Sequence, residues 1–183
     1  MKKISMLVFA VVIFISGCAT TPNMGYTTNS PEQARKNISI QVMEFTDQRL
    51  ASEKGKLGAR YNQYGMKAGD VLEPQNLMGE IHKGFLTELE RAGYNSSASA
   101  SEDLTLKGEI LALSCDQTNN SQSGTVKLRL ILTDKGHEVL NTIYSGDSKV
   151  PFTFDGTCSD AFNDAVKKPI TTFVKDLDQY IKS

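Results

Sequence analysis

The sequence predicts an α+β domain in which an antiparallel sheet of about four strands carries two helices packed on one face. Two long segments repeat apolar residues at helical spacing, and four shorter segments alternate apolar and polar residues as half-buried strands do. Their order along the chain is strand, loop, helix, three strands and helix.

The first strand lies where Ile38, Ile40 and Val42 alternate with polar residues, and it is expected to continue to Phe45. Residues 46–73 follow with several glycine and aspartate breaks and no sustained period. They are predicted to form a long loop with room for a short irregular hairpin. Loops of this length are uncommon inside a compact domain and are sometimes functional.

Both helices are predicted from apolar stripes. Over 74–92 the stripe repeats about every four residues, and Gly93 suits the left-handed position that follows a helix. A second stripe covers about 159–181. Because Pro169 lies inside it, we expect either a kink or two abutting helices there.

Three strands are predicted between the helices. The first runs from Leu104 toward Cys115, and the second alternates apolar and polar residues cleanly over 125–133. The triplet Asp134-Lys135-Gly136 is a turn signal that leads into a third strand over 139–144.

Residues 1–17 have the pattern of an export signal. Two lysines follow the initiator, and residues 4–15 are apolar except for one serine. As a helix this stretch is about 18 Å long, too short for a hydrocarbon core of about 30 Å. It therefore indicates a signal peptide rather than a stable membrane anchor.

Cys18 directly follows this segment in the tetrapeptide Ile15-Ser16-Gly17-Cys18. The tetrapeptide resembles the lipobox of bacterial lipoproteins, in which the cysteine is acylated and becomes the mature N-terminus. The alternative is an ordinary secretory signal with an incidental cysteine. By resemblance to enterobacterial sorting rules, Ala19 after the cysteine implies the outer membrane of a Gram-negative bacterium, with the domain facing the periplasm.

The predicted organisation has three parts: a lipoprotein signal peptide (1–17), an acylated cysteine with a flexible tether (18–37), and a periplasmic domain (38–183). Residues 19–37 are rich in Thr, Asn and Pro and have no apolar period, as is typical of a tether. Several acyl chains on Cys18, a diacylglycerol and an N-acyl chain such as palmitate, would anchor the protein stably.

Cys115 and Cys158 remain once Cys18 is assigned to lipid. In an oxidising periplasm such a pair favours a structural disulfide, here between a strand and the last helix. Two free thiols are the alternative, and no Cys-x-x-Cys pattern indicates a redox or metal role.

Two polar or aromatic groups are candidate binding residues. Asp47 and Arg49 follow the first strand, either as a turn in which the aspartate caps backbone amides or as part of a binding edge. Tyr61 and Tyr64 lie in the long loop, and tyrosine is enriched in protein interfaces.

Composition excludes several classes of function. The formal charge is −1, and removal of two signal-peptide lysines makes it −3, which argues against a protein that binds nucleic acid by neutralising phosphates. Two histidines and three cysteines leave little material for a metal site. We find no catalytic pattern, so the chain is predicted not to be an enzyme and to need no cofactor beyond its covalent lipid.

A family resemblance adds to these observations. The lipobox is followed by a strand ending in Asp47-x-Arg49, a helix closing in Leu89-x-x-x-Gly93-Tyr94, and the strand pattern Asp103-Leu104-x-Leu106-x-Gly108. This arrangement resembles the YajG-type lipoproteins of the Gram-negative envelope. It is also similar to the small domain of several envelope assembly lipoproteins, including those of curli secretion and synthase activation. The resemblance implies a periplasmic binding or assembly role and carries over no functional residues.

The first functional hypothesis is a membrane-anchored periplasmic lipoprotein that binds or assembles an envelope protein of unknown identity, without catalysing a reaction. The alternative is a carrier of a small apolar ligand or glycan in a groove between helices and sheet. A third, an envelope hydrolase, needs a carboxyl or serine site that the sequence does not display.

Overall fold

A computed structural model gives the fold and describes residues 19–22, 26–28, 30–96, 104–152 and 158–182. The predicted signal peptide and Cys18 lie outside the described residues. In chain order the elements are β1 (Ile40–Val42), β2 (Thr46–Asp47), a 3₁₀ turn (Ala51–Glu53), β3 (Lys56–Tyr61), β4 (Lys67–Leu72), α1 (Leu77–Arg91), β5 (Leu104–Gln117), β6 (Ser121–Asp134), β7 (His137–Pro151) and α2 (Ser159–Lys182).

The strands form one mixed sheet with the order β4-β3-β5-β6-β7. β5, β6 and β7 are long antiparallel neighbours. The other edge of β5 is lined in succession by β1, β2 and β3, all parallel to it, and β4 pairs antiparallel with β3. The α+β class is confirmed, but the sheet has seven strands among the described residues instead of about four, and it is not wholly antiparallel.

The segment 46–73 is not a long loop, because it contains β2, the 3₁₀ turn and the β3–β4 hairpin. The short irregular hairpin that the sequence allowed there is present, with register shifts between β3 and β4. Each hairpin strand buries few apolar side chains, Leu57 and Ala59 on β3 and Val71 on β4, so no clear period marks them. The first strand is also shorter than expected: it ends at Val42.

The helices follow their predicted stripes closely. Gly93 has a φ of +86°, the left-handed conformation expected after α1. α2 runs unbroken through Pro169, so the expectation of two abutting helices is wrong. A proline lacks the N–H that would bond the carbonyl of Ala165. That carbonyl faces β7, where an added Cβ on Gly146 would lie 2.0 Å from its oxygen.

Both helices pack on one face of the sheet, as predicted. Phe85 of α1 meets Phe173 of α2 with ring centroids 6.0 Å apart, and Tyr144 of β7 lies against Phe173 at the same distance. The side chains of β6 that face the helices are fully buried: Val126, Leu128, Leu130 and Leu132. The core therefore lies between the helices and β5–β7.

A disulfide joins β5 to the start of α2. Cys115 and Cys158 are bonded, with their Cα atoms 6.0 Å apart. This agrees with the predicted strand-to-helix bridge and disfavours two free thiols.

Candidate functional site

Asp47 and Arg49 belong to an arginine clamp, by which we mean Asp47, Arg49 and Glu73. The Arg49 side chain is fully buried and donates to both carboxylate oxygens of Asp47, at 3.0 and 2.8 Å. Its Nη2 also donates to Glu73 at 2.8 Å. Asp47 further accepts from the backbone N–H of Arg49 at 3.1 Å, which is the turn-capping geometry expected from the sequence.

The clamp fixes the base of the β3–β4 hairpin. Glu73, directly after β4, accepts from the backbone N–H of Gly55 before β3 at 3.2 Å. Lys54 donates to the backbone oxygen of Asp47 at 3.0 Å. The end of β2 is therefore bonded to the residues that precede β3 and follow β4, which together form the base of the hairpin. Glu73 was not singled out in the sequence, because nothing in its local pattern marks it as the partner of an arginine 24 residues earlier.

The electrostatics of the clamp follow from these contacts. The hydrogen bonds from Arg49 hold the pKa of Asp47 below its ordinary value, against the opposing effect of burial. Burial favours a lower pKa for Arg49, but its bonds to Asp47 and Glu73 outweigh that effect and raise the pKa. Both groups therefore stay charged at neutral pH.

The opposite end of the hairpin is the hairpin tip, by which we mean residues 61–67. Its three large apolar or aromatic side chains are exposed, Tyr61 to 37%, Met66 to 59% and Tyr64 to 75%. The tip is an ordered turn, because the Asn62 side chain accepts from the backbone N–H groups of Tyr64 and Met66 at 2.9 and 3.0 Å. Gly65 takes the left-handed conformation that this turn needs.

The four candidate binding residues therefore do not form one site. Asp47 and Arg49 lie at the base of the hairpin, and Tyr61 and Tyr64 lie at its tip. The six residues of β3 separate the two groups by about 17 Å. The structure gives the first pair a positioning role and leaves the second pair open to solvent.

The chain near its N-terminus pairs with β4. Thr20 forms a parallel bridge to Val71. The backbone N–H of Thr20 donates to the backbone oxygen of Asp70 at 3.2 Å, and that of Leu72 donates to the backbone oxygen of Thr20 at 2.7 Å. The edge of the sheet at β4 is therefore partly covered by the chain only two residues after Cys18. A threonine-rich segment without period gave no sign of this pairing.

The same N-terminal segment, residues 19–38, also lies along the helices. Tyr26 donates to the buried Glu88 of α1 at 2.9 Å, and its ring lies over Gly84, where an added Cβ would come within 2.9 Å. Burial, with the nearby Glu88 carboxylate, raises the pKa of Tyr26. Lys36 forms an ion pair with Asp178 of α2 at 2.6 Å. In its described part, the predicted tether thus contacts the domain at several points, because Tyr26 bonds to the buried Glu88 and Lys36 to the half-buried Asp178.

The other edge of the sheet is β7. In the part of the chain that the structure describes, no strand pairs with its outer side. Its central stretch, residues 139–146, contains no charged residue and no proline. Ile143 within it is 45% exposed. Charges, prolines and bulges protect edge strands from pairing with another chain. β7 carries such features toward its ends, with Glu138, Asp147, Lys149, Pro151 and a register shift opposite Leu132 and Thr133, but its centre has no charge and no proline.

The cavities do not resemble a site for an apolar ligand. One of about 710 Å³ is mostly polar and lies between residues 32–39 and the end of α1. Another, of about 180 Å³ between the N-terminal segment and the helices, is smaller than typical ligand pockets. The interface between helices and sheet is filled by Phe85, Phe162 and Phe173.

The described residues contain no group of three or more His, Cys, Asp or Glu side chains placed to hold a metal ion. None of their helices is long and apolar enough to cross a membrane.

The fold is similar to that of a DUF330-family protein from Xanthomonas campestris, with a TM-score of 0.57 at 15% identity over 91% of this chain and 99% of that one. Weaker similarity is found to lipoprotein GNA1162 from Neisseria meningitidis, with a TM-score of 0.41 at 12% identity over 80% and 99% of the chains. A hypothetical protein from Chlamydia trachomatis gives a TM-score of 0.47 at 11% identity over 80% and 96%.

Protein-family models and curated proteins give no match to this sequence. At such low identities the structural likeness concerns the fold alone. Membership of the YajG-type family therefore stays a prediction from the sequence pattern.

Proposed function

We propose that this chain is a Gram-negative outer-membrane lipoprotein that binds a protein of the envelope without catalysing a reaction. Acyl chains on Cys18 hold it to the membrane, and an extended segment of the partner pairs with β7. The uncharged centre of β7, with whose outer side no strand pairs among the described residues, is the observation that carries the binding part of the proposal.

The anchor is supported by the first eighteen residues. A charged start, an apolar stretch too short to span a bilayer and small residues before Cys18 occur together in the order that a lipobox requires. Two or more acyl chains give stable anchoring, whereas one chain binds only reversibly.

Partner binding is supported by the contrast between the two sheet edges. β4 has six residues, carries Lys67 and Asp70, and is partly covered by Thr20. β7 has fifteen residues and an uncharged centre about 27 Å long at 3.4 Å per residue. An added strand gains affinity from backbone hydrogen bonds and specificity from alternate side chains. Such an edge therefore suits an extended peptide of an envelope protein.

A photo-crosslinking residue at Asn141 of β7 tests this proposal in living cells. We expect a discrete adduct with one envelope protein from Asn141, and none from the same probe at Lys127, which is exposed on the central strand β6. An adduct of twice the chain mass would instead identify a second copy of this chain and contradict the proposal.

Two matched substitutions separate edge pairing from binding to the open face of the sheet. Ile143→Glu puts a charge on β7 opposite Arg129, and Ile131→Glu puts one on β6 opposite Lys107, so each has a basic partner across the ladder. We expect Ile143→Glu to abolish the adduct and Ile131→Glu to leave it. Equal loss in both variants would place the binding surface on the open face.

A further inference from the structure

The hairpin tip concentrates the exposed apolar surface of the chain. Among the described residues six large hydrophobic side chains are exposed, and three of them, Tyr61, Tyr64 and Met66, lie within this one turn. The turn is held by hydrogen bonds from the backbone N–H groups of Tyr64 and Met66 to the Asn62 side chain, so these side chains project from an ordered structure. The tip can therefore present its rings and thioether to another surface without first becoming ordered.

The N-terminal pairing brings the predicted acylation point to the same hairpin. Thr20 is bonded to β4 beside Val71, and two residues of chain span at most about 7 Å. A lipid attached at Cys18 is therefore tied to the β3–β4 hairpin by a very short link. The tether does not separate the domain from its anchor by the full length of residues 19–37.

The direction of the pairing shows from which end of the hairpin the chain reaches Thr20. The Thr20–Val71 bridge is parallel, so the chain reaches Thr20 from the side on which Met66 lies. Val71 is five residues from Met66, about 17 Å along the strand, and the two residues before Thr20 can cover at most about 7 Å of this. The tip therefore extends at least about 10 Å beyond the predicted acylation point, which is the upper end of the 5–10 Å depth at which interfacial protein segments lie in a bilayer.

The charge of the hairpin is complementary to an anionic membrane surface. Residues 56–72 contain three basic residues and one acid, although the chain after residue 17 has a formal charge of −3. Lys67 lies in the tip and Lys56 at the base of the hairpin, and both pair with Asp70, at 2.6 and 2.7 Å. Lys67 is therefore the lysine that the tip itself carries. Tyrosine is enriched at the level of lipid headgroups, and basic residues are attracted to anionic lipids.

We propose that the hairpin tip inserts into the headgroup region of the membrane that holds the acyl chains, with Tyr64 and Met66 as the inserted side chains. The proposal rests on the lipid anchor of the proposed function. Contact at the tip together with the acyl chains fixes the orientation of the domain. β7, on the opposite edge of the sheet, then stays accessible to a partner in the periplasm.

A tryptophan probe tests this contact, because the chain contains no tryptophan. The acylated full-length Tyr64→Trp variant is reconstituted into protein-free vesicles of phosphatidylethanolamine and phosphatidylglycerol. We expect its emission to shift to shorter wavelength on reconstitution, its quenching by aqueous acrylamide to fall, and brominated lipid to quench it. Leu50→Trp is the matched control, since Leu50 is 68% exposed and lies near the base of the hairpin.

The outcomes separate the tip contact from the anchor. Protein that does not float with the vesicles would overturn the anchor and the tip contact together. Flotation with the indole of Tyr64→Trp as open to acrylamide as that of Leu50→Trp would overturn the tip contact and leave the anchor standing. Shielding of Tyr64→Trp that occurs only in native membranes, and not in protein-free vesicles, would assign the tip to a protein partner and overturn the lipid contact.

Discussion

Asp47→Asn is expected to lower the free energy of unfolding by about 2 kcal/mol, because a hydrogen bond to a charged group contributes about 1.5–3 kcal/mol. The substitution keeps the volume of the side chain and one acceptor oxygen. It removes the negative charge of Asp47 and one of the two hydrogen bonds that the Arg49 side chain donates to it. The Arg49 side chain is fully buried, so it cannot bond to water instead. Only Glu73 then balances the guanidinium.

The expected loss of stability exceeds that for breaking an ordinary surface ion pair, because the Arg49 side chain is buried. Glu109→Gln is the matched control, since the Glu109–Arg129 pair lies at 3.0 Å with both side chains partly exposed. Such pairs contribute about 0–1 kcal/mol. Adding Arg49→Met to Asp47→Asn should cost less than the sum of the two single changes, because the buried charge that needs a partner is removed.

Urea unfolding followed by circular dichroism measures these differences, with the disulfide kept oxidised in all variants. A shift in the midpoint at constant slope reports a change in stability. A loss below about 0.5 kcal/mol for Asp47→Asn, equal to that of the control, would refute the reasoning, since exposed ion pairs often contribute no more than this.

The effect should also depend on pH. The pKa of Asp47 is lower in the folded than in the unfolded chain, so its stabilising contribution is present in full above the unfolded value of about 3.9. It is lost as the pH falls through the lower pKa of the folded state. The stability difference between the parent chain and Asp47→Asn should therefore be constant from neutral pH to about 5 and shrink in stronger acid.

Three further predictions concern the packing that holds the domain together. Replacing Cys115 and Cys158 by serine should cost up to about 4 kcal/mol in urea unfolding, the chain-entropy figure for a loop of about 44 residues; an unchanged midpoint would argue against the bridge. Gly146→Ala should lower the melting temperature and cost about 3 kcal/mol or more, since its Cβ meets a backbone oxygen of α2; the melting temperature of the parent chain would contradict that contact. Tyr26→Phe should leave Glu88 without its donor and speed proteolysis of the N-terminal segment, whereas unchanged cleavage would mean that the segment is not held there.

Local sequence patterns are sufficient to predict the elements whose apolar residues repeat regularly. The stripes of α1 and α2 and the alternation of β6 are continuous along each element. They predict α2 to within one residue and α1 to within three, whereas β6 begins four residues before the predicted strand. The disulfide between Cys115 and Cys158 was also predictable from the sequence, because only two cysteines remained to pair.

The short strands could not be predicted from local patterns. β1 and β2 have three and two residues, and the residues of β5 that pair with them lie more than sixty positions later. Such pairing depends on distant contacts that a local period cannot reveal. The sequence allows a short hairpin within 46–73 but does not fix the bounds of β3 and β4, because their few buried side chains, including the small Ala59, leave little alternation.

The candidate site was predictable only in part. Asp47 and Arg49 stood out as a polar cluster, but their partner Glu73 lies across the hairpin and carries no local sign. Tyr61 and Tyr64 lie in the exposed turn, and their role in binding stays a prediction. The pairing of Thr20 with β4 could not be foreseen, because it is made by backbone atoms in a segment without apolar period.

Mass spectrometry of the mature N-terminus in membranes tests the central claim, the lipid anchor, most directly. If the proposal holds, the N-terminal peptide begins at Cys18 and carries a thioether-linked diacylglycerol and an N-acyl chain. A mature chain that retains residues before Cys18, or that begins at Cys18 with a free thiol, would contradict the anchor, and with it the insertion of the hairpin tip.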